Sequence, residues 1–515
     1  MMKRSLLFLT GISMFMMSEI SVAQDNPLFA MDHEANDRVK LSYGIALTVP
    51  DSLDNAQVLK ETITKKLSQK DIDVQFLHPN ETKFADVVIN ISDDGTILIN
   101  NQKIQAKDGG LDAAIVSWFE SEYAQGIKPQ TVPVFENVKD GYVSFRIPSL
   151  VALPNNKLLA FIEARSAHKD TACNDIVMKS STDGGKTWSA PKVVQEEGKY
   201  SLNNITVGYV PQTDEIVMIY QSYPPKTSEG TKFKGENNRQ KVLLTTSSDR
   251  GETWSKPHEI TDQVFHPKAN TVCSGPGVMI QATSGPDKGR LIVPFNALGG
   301  NTWYNYLVYS DDFGKTWKIA DGESQYGTNE SQIVQVGDHE FLICARSHRN
   351  QNCDKAETPK GWGPWNFNVV TRNRAYIPVS LEGNQVQWGT TEVRADLPDA
   401  NCQGSITRVG KYGDGKKSRL LVSNPASQYT LKDDRKRSFG QVPTSRVNGT
   451  VRVSYDEGKT WTYSKRIHGD RLSHFGYSVL ADMGNGRIGC LYESGPRVLF
   501  TSFDLKWLSS GKDDQ

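Results

Sequence analysis

Three arginines lie in short, distinctive segments far apart in the chain. Arg146 lies in Phe145-Arg146-Ile147-Pro148 and Arg346 in Cys344-Ala345-Arg346-Ser347, both flanked by apolar residues that read as strand. Arg446 opens Arg446-Val447-Asn448-Gly449-Thr450, with Arg452 close behind it. A guanidinium stays charged and donates in pairs, so several drawn from distant segments make an anion clamp. Carboxylates and a phenol sit in comparable settings. Asp170 follows Arg165 by five residues, and Asp175 comes soon after. Glu330 lies in Thr328-Asn329-Glu330-Ser331, Tyr477 in Gly476-Tyr477-Ser478-Val479-Leu480, and Glu493 in Leu491-Tyr492-Glu493. Lys plus Arg and Asp plus Glu are 59 each in 515 residues, so the formal net charge is zero. That balance argues against a general nucleic-acid or polybasic membrane binder, and leaves anion recognition to a local cluster. No CxxC or HExxH occurs and the nine histidines lack ligand spacing, so a metal is not implied.

The elements that must position these groups are legible as a repeat. Ser181-Thr182-Asp183-Gly184-Gly185-Lys186-Thr187-Trp188 recurs at Ser247–Trp254, Ser310–Trp317 and Ser454–Trp461, each fitting Ser-x-Asp-x-Gly-x-Thr-Trp. The box suits a tight turn between antiparallel strands: Asp accepts N–H bonds, Gly permits positive φ, and Trp packs beneath. Spacings of 66, 63 and 144 residues separate Asp183, Asp249, Asp312 and Asp456, which implies a decayed copy with Ser380–Trp388 as its remnant. The count comes to about six units of four short strands, a six-bladed all-β propeller over residues 134–510. Residues 24–130 read differently, as a small α/β domain. Its strands are 41–49, 87–91 and 95–100, its helices 55–69 and 111–124, and 126–133 is the joint. Residues 1–23 join a basic start, a short apolar run and Ser21-Val22-Ala23, the pattern of a secretory signal. An exported, soluble product is therefore expected, in the periplasm or outside the cell. Mean hydropathy is −0.49, and no later segment reads as apolar enough to span a membrane. Six cysteines leave 15 full pairings open.

Phe145-Arg146-Ile147-Pro148 ahead of several such boxes resembles the opening of exo-α-sialidases (neuraminidases). The segments 274–277, 402–406, 423–426, 446–452 and 491–493 extend the similarity over roughly residues 134–507. The resemblance implies the sialidase fold and a triad of arginines, here Arg146, Arg346 and Arg446, on the carboxylate of a terminal sialic acid. It implies a tyrosine nucleophile, since a neutral phenol is not repelled by that carboxylate as an acid would be; this is Tyr477, with Tyr492 the rival that reads as packed in the Leu491-Tyr492-Glu493 strand. Glu330 becomes the base that ionises the phenol and Asp170 the acid for the leaving group, with Asp175 as competitor. Arg165 is expected at a ring hydroxyl of the substrate, Asp175 at the substrate or within its blade, and Glu493 holding Arg146.

The expected activity is hydrolysis of terminal α-linked sialic acids on glycoproteins, glycolipids or oligosaccharides, with retention and no cofactor. A trans-sialidase, a hydrolase for a related 2-keto sugar acid and a non-catalytic propeller binding module are the rivals. The mixed-charge run Lys432–Arg437 reads as a solvated loop. Linkage preference, oligomeric state and the role of the N-terminal part, carbohydrate binding among them, stay open.

Overall fold

Four-stranded antiparallel meanders, laid side by side, make up most of the computed structural model. It describes residues 41–513 except 52, 54, 79–84, 106–109, 232, 234–238, 348–371, 427–445 and 470–472. The signal-like segment, Cys353 and the run 432–437 therefore lie outside the described residues. A nine-stranded sheet carries two successive meanders. The first is Ser144–Leu153, Lys157–Arg165, Asn174–Ser181 and Lys192–Gln195; the second is Ser201–Val210, Glu215–Tyr223, Lys241–Ser247 and His258–Glu259. Two five-stranded and two four-stranded sheets follow. Among the innermost strands of the ring, Ser201–Val210 packs beside Ser144–Leu153 and Thr271–Ser274, and Ser405–Arg408 beside Thr328–Gln335 and Ser478–Asp482, which returns to Ser144–Leu153. The arrangement is mostly β and propeller-like.

The ring is closed by chain from its far end. Gln130–Glu136 pairs with Arg497–Asp504 as the fourth strand of the last sheet. Gln130–Pro133, which the sequence places in a joint, is thus already strand. Pro133 is tolerated because it lies on an edge strand beside a register shift.

The boxes show why their residue types recur. In each, the Ser hydroxyl accepts from the Gly N–H at 2.8–2.9 Å, while the Asp accepts from the Thr N–H and hydroxyl. The Thr253 hydroxyl and N–H hold the Asp249 carboxyl down to about 2. Gly185, Gly251, Gly314 and Gly458 take φ between +81° and +93°. Each presses on a neighbouring strand, against Phe500, Leu159, Val217 and Leu342 respectively. The boxes therefore fasten one meander to the next. At the decayed copy a shorter hairpin stands in place of the box, with Glu382 paired to Gln385. Gly185→Ala combines a disfavoured φ with overlap of the Phe500 ring, and should cost about 3 kcal/mol. Denaturant unfolding would read this as a lower midpoint at unchanged m; an unaltered midpoint would contradict it.

The N-terminal part carries a mixed sheet in the order Asp73–Phe76, Ser42–Thr48, Val87–Ile91, Ile97–Ile99, Gln102–Ile104, with helices Ala56–Ser68 and Gly110–Tyr123. Its core is built on Ile45, Ile63, Leu67, Val87, Ile89, Ile97, Ile115 and Phe119. It is tied to the strand Tyr463–Arg466 and the turn beyond it. Arg466 forks onto the Asp86 carboxylate, and the Ser42 N–H reaches the Gly469 carbonyl at 3.1 Å. Among the described residues, no helix is long and apolar enough to cross a membrane.

Candidate active site

In an antiparallel meander the start of the first strand and the end of the second lie at the same end. Arg146 and Glu330 stand near the starts of innermost strands, with Tyr477 just ahead of one. Arg165, Arg346 and Glu493 stand at or near the ends of second strands. The topology therefore delivers six groups from three meanders to one end of the ring.

Backbone irregularities then aim them. The pairing of Ser144–Leu153 shifts register between Arg146 and Ser149, and that of Thr328–Gln335 between Thr328 and Ser331. Such bulges redirect the side chains beside them. Ile147, in the first bulge, has φ +59°, a strained value for a β-branched residue. Its N–H is held by Glu493 Oε1 at 2.9 Å, and the same oxygen accepts from Arg146 Nε at 2.8 Å. Glu493 thus fixes both the bulge and the arginine. A third bulge, at Asn203–Thr206, turns the Asn204 N–H onto the buried Glu163 at 2.7 Å.

At the centre, the Tyr477 hydroxyl donates a short hydrogen bond to Glu330 Oε1. Arg346 Nη1 donates to Glu330 Oε2 at 2.8 Å and to the Tyr477 oxygen at 3.3 Å, while its Nε reaches Asn401 at 3.0 Å. The Arg146 and Arg446 guanidinium carbons each lie 5.3 Å from the centre of the Tyr477 ring. Ile147 and Cys402 pack with the same ring. Burial pushes the phenol well above its ordinary value and Glu330 adds to this, against Arg346 and Arg446. The free hydroxyl is therefore neutral, and needs a base to become a nucleophile.

Asp170 is held from one side. Arg165, only 2% exposed, donates through Nη1 to Asp170 at 2.6 Å and through Nη2 to Glu163 at 2.7 Å. The Asp170 side chain itself is 72% exposed. Burial of its surroundings pushes the Asp170 carboxyl up, but Arg165, then Arg146 and Arg446, outweigh that and leave it below its ordinary value. Burial raises Glu163 to about 7, opposed by Arg165.

The expected residues divide clearly. Tyr477, Glu330, Arg146, Arg346, Arg446 and Glu493 are brought together, with Asp170 exposed at the rim and Arg165 buried beneath it. Arg452, the neighbour of Arg446, turns away and donates to Asn424 at 3.1 Å. Tyr492 is fully buried against Phe475. Asp175 does not join the cluster. Arg165 pairs with Asn174 across the strands, so Asp175, one residue on, faces the opposite side. There it accepts from the Tyr142 hydroxyl at 2.8 Å.

Glu229 was not legible in the sequence. It comes from the loop after Glu215–Tyr223, accepts from Asn296 at 3.1 Å, and is pushed well up by burial and by Glu330. No motif marks it; it is a lone acid between Ser228 and Gly230. Among the described residues, no cluster suited to a metal ion occurs.

The family described as BNR repeat-like domain matches residues 156–490. The chain belongs to that family. It is 28% identical over 384 residues to a sialidase of Micromonospora viridifaciens, covering 72% of this chain and 53% of that protein. With a sialidase of Bacteroides fragilis it shares 24% identity over 385 residues, 71% of this chain and 63% of the other. The chain thus spans little more than half to under two thirds of these relatives' length. Among solved structures, the Hadza microbial sialidase Hz136 superposes with a TM-score of 0.60 at 22% identity, over 80% of this chain and 72% of that one, a likeness of fold.

Proposed function

We propose that this chain is a retaining exo-α-sialidase, exported by its leader, whose ring counts as six blades behind a small α/β domain. One observation carries the reading: the Tyr477 hydroxyl is bonded to a buried carboxylate, Glu330, with Arg346 touching both. A buried Tyr–Glu pair beside three guanidiniums is costly to hold unless a negatively charged substrate completes it.

In the proposed reaction, Arg146, Arg346 and Arg446 hold the sugar carboxylate. Glu330 takes the phenolic proton as Tyr477 Oη attacks the anomeric carbon. The bond to the aglycone breaks, and its oxygen leaves with the proton of Asp170. Water then attacks the glycosyl-tyrosine, giving one proton to Asp170, while Tyr477 leaves and recovers its proton from Glu330. Two transfers at one carbon restore the original configuration. Arg165 keeps Asp170 at the rim where the leaving oxygen would lie. The test is hydrolysis of a fluorogenic α-sialoside with the released sugar followed by NMR. The α-anomer should form first; a β-anomer at the outset rules out retention, and no cleavage of any sialoside rules out the activity.

Glu229 should set an alkaline limit. It is neutral until the pH passes its raised value, and its ionisation then places a negative charge beside Glu330 and the substrate carboxylate. Glu229→Gln should keep kcat/KM within roughly 3-fold at mildly acidic pH and move the alkaline limb upward. A limb that stays in place would assign it to another group.

A further inference from the structure

A cavity lies where the N-terminal part meets the strands Gly449–Ser454 and Tyr463–Arg466. Its volume is about 270 Å³, and Arg452, Thr450, Asn448, Ser464 and Tyr43 are among the residues that line it. The antiparallel register explains the grouping. Thr450 faces Arg466 and Arg452 faces Ser464, so these four share one side of the sheet. Arg466 is neutralised by Asp86 at 2.6 Å.

Arg452 is not neutralised. It is only 7% exposed, and it donates from Nη1 to the neutral Asn424 amide at 3.1 Å. No carboxylate lies within ion-pair distance of it among the described residues. The nearby acids are committed elsewhere, Asp396 to Arg394 and Asp399 to Arg374. Burial pulls Arg452 down to about 10, with Tyr376, Asp396 and Asp399 only partly opposing. A guanidinium has five donors in a fixed fork, so most of its N–H groups remain for a ligand. Holding an unpaired charge out of water is strongly unfavourable, unless a counter-ion arrives.

We propose that this cavity is a second binding site, separate from the Tyr477 cluster, for a small sugar carrying an oxyanion. Arg452 would grip the oxyanion bidentately. The hydroxyls of Thr450 and Ser464 and the Asn448 amide supply the mixed donors and acceptors that sugar hydroxyls require, and the Tyr43 ring gives an apolar wall. The volume falls just below the roughly 300–1,000 Å³ of drug-sized sites, which suits a single sugar ring. A sugar acid and a sulfate ester both present paired anionic oxygens to the fork.

The test is calorimetric titration of the full chain with glucuronic acid, galactose 6-sulfate and neutral galactose. Wild type and Arg346→Ala should bind at least one anionic sugar equally well, and galactose at least 10-fold more weakly. Arg452→Met should lose at least 10-fold for that sugar while its melting temperature holds or rises, because an unpaired buried charge has been removed. Arg452→Lys, which keeps charge without the fork, should retain part of the affinity. Whether the carboxylate or the sulfate binds more tightly identifies the source. Binding lost in Arg346→Ala but kept in Arg452→Met would place the only anion site at the clamp and overturn the proposal. So would no binding by wild type, equal binding of galactose, or a folded Arg452→Met variant with unchanged affinity.

Discussion

Tyr477→Phe should lose roughly 10⁴-fold in kcat on sialosides with good and poor leaving groups alike, with little change in melting temperature. The hydroxyl removed is the atom that would bond to the anomeric carbon, so no aglycone, however reactive, can make up for it. The ring stays, and with it the packing on Ile147 and Cys402 and the faces presented to Arg146 and Arg446. What is lost structurally is one hydrogen bond to Glu330 and a longer contact to Arg346, whose own link to Glu330 at 2.8 Å persists. Substrate affinity should therefore fall much less than turnover, since the arginines are untouched. Steady-state kinetics with two aglycones of different acidity, together with inhibitor binding, check this. A variant that keeps a tenth of the wild-type kcat would show that Tyr477 is not the nucleophile.

The residues that were legible in sequence are those tied to a period or a strand. The boxes were readable because Ser, Asp, Gly and Thr each satisfy a backbone demand of one turn, and Gly185 admits no Cβ against the Phe500 ring. Arg146, Glu330, Arg346 and Tyr477 were readable through the short motifs around them. Their convergence was not, because it depends on bulges at Arg146–Ser149 and Thr328–Ser331 that leave no mark in composition. Of the two places expected for Asp175, substrate or blade, it takes the blade: one residue beyond the partner of Arg165, it faces away, onto Tyr142. Glu229 escaped because an irregular loop has no period to read. In the N-terminal part, the strands Asp73–Phe76 and Gln102–Ile104 were missed, being only four and three residues long. Runs so short carry too few alternations to signal a strand, and pairing with Ser42–Thr48 and Ile97–Ile99 supplies what sequence does not.

Asp170→Ala should divide substrates by leaving group, which separates an acid from a residue that merely binds. General acid catalysis contributes roughly 10²–10⁴-fold, so an alkyl or sugar aglycone should lose about 10³-fold in kcat/KM. An aglycone that departs as a stable phenolate needs little protonation and should lose no more than about 10-fold. Proton uptake on binding adds a second check. In the free protein Arg165, Arg146 and Arg446 overcome burial and hold Asp170 below its ordinary value, so the carboxyl is ionised at neutral pH. A bound substrate carboxylate would cancel the field of Arg146 and Arg446, and an aglycone would cover an Asp170 side chain now 72% exposed. Both changes favour the protonated form, so substrate binding should carry proton uptake at Asp170. For the variant, that proton uptake should vanish, and added formate or azide should restore part of the rate on good leaving groups. Equal losses on both classes of aglycone would leave Asp170 as a contact, with the leaving group protonated by another residue.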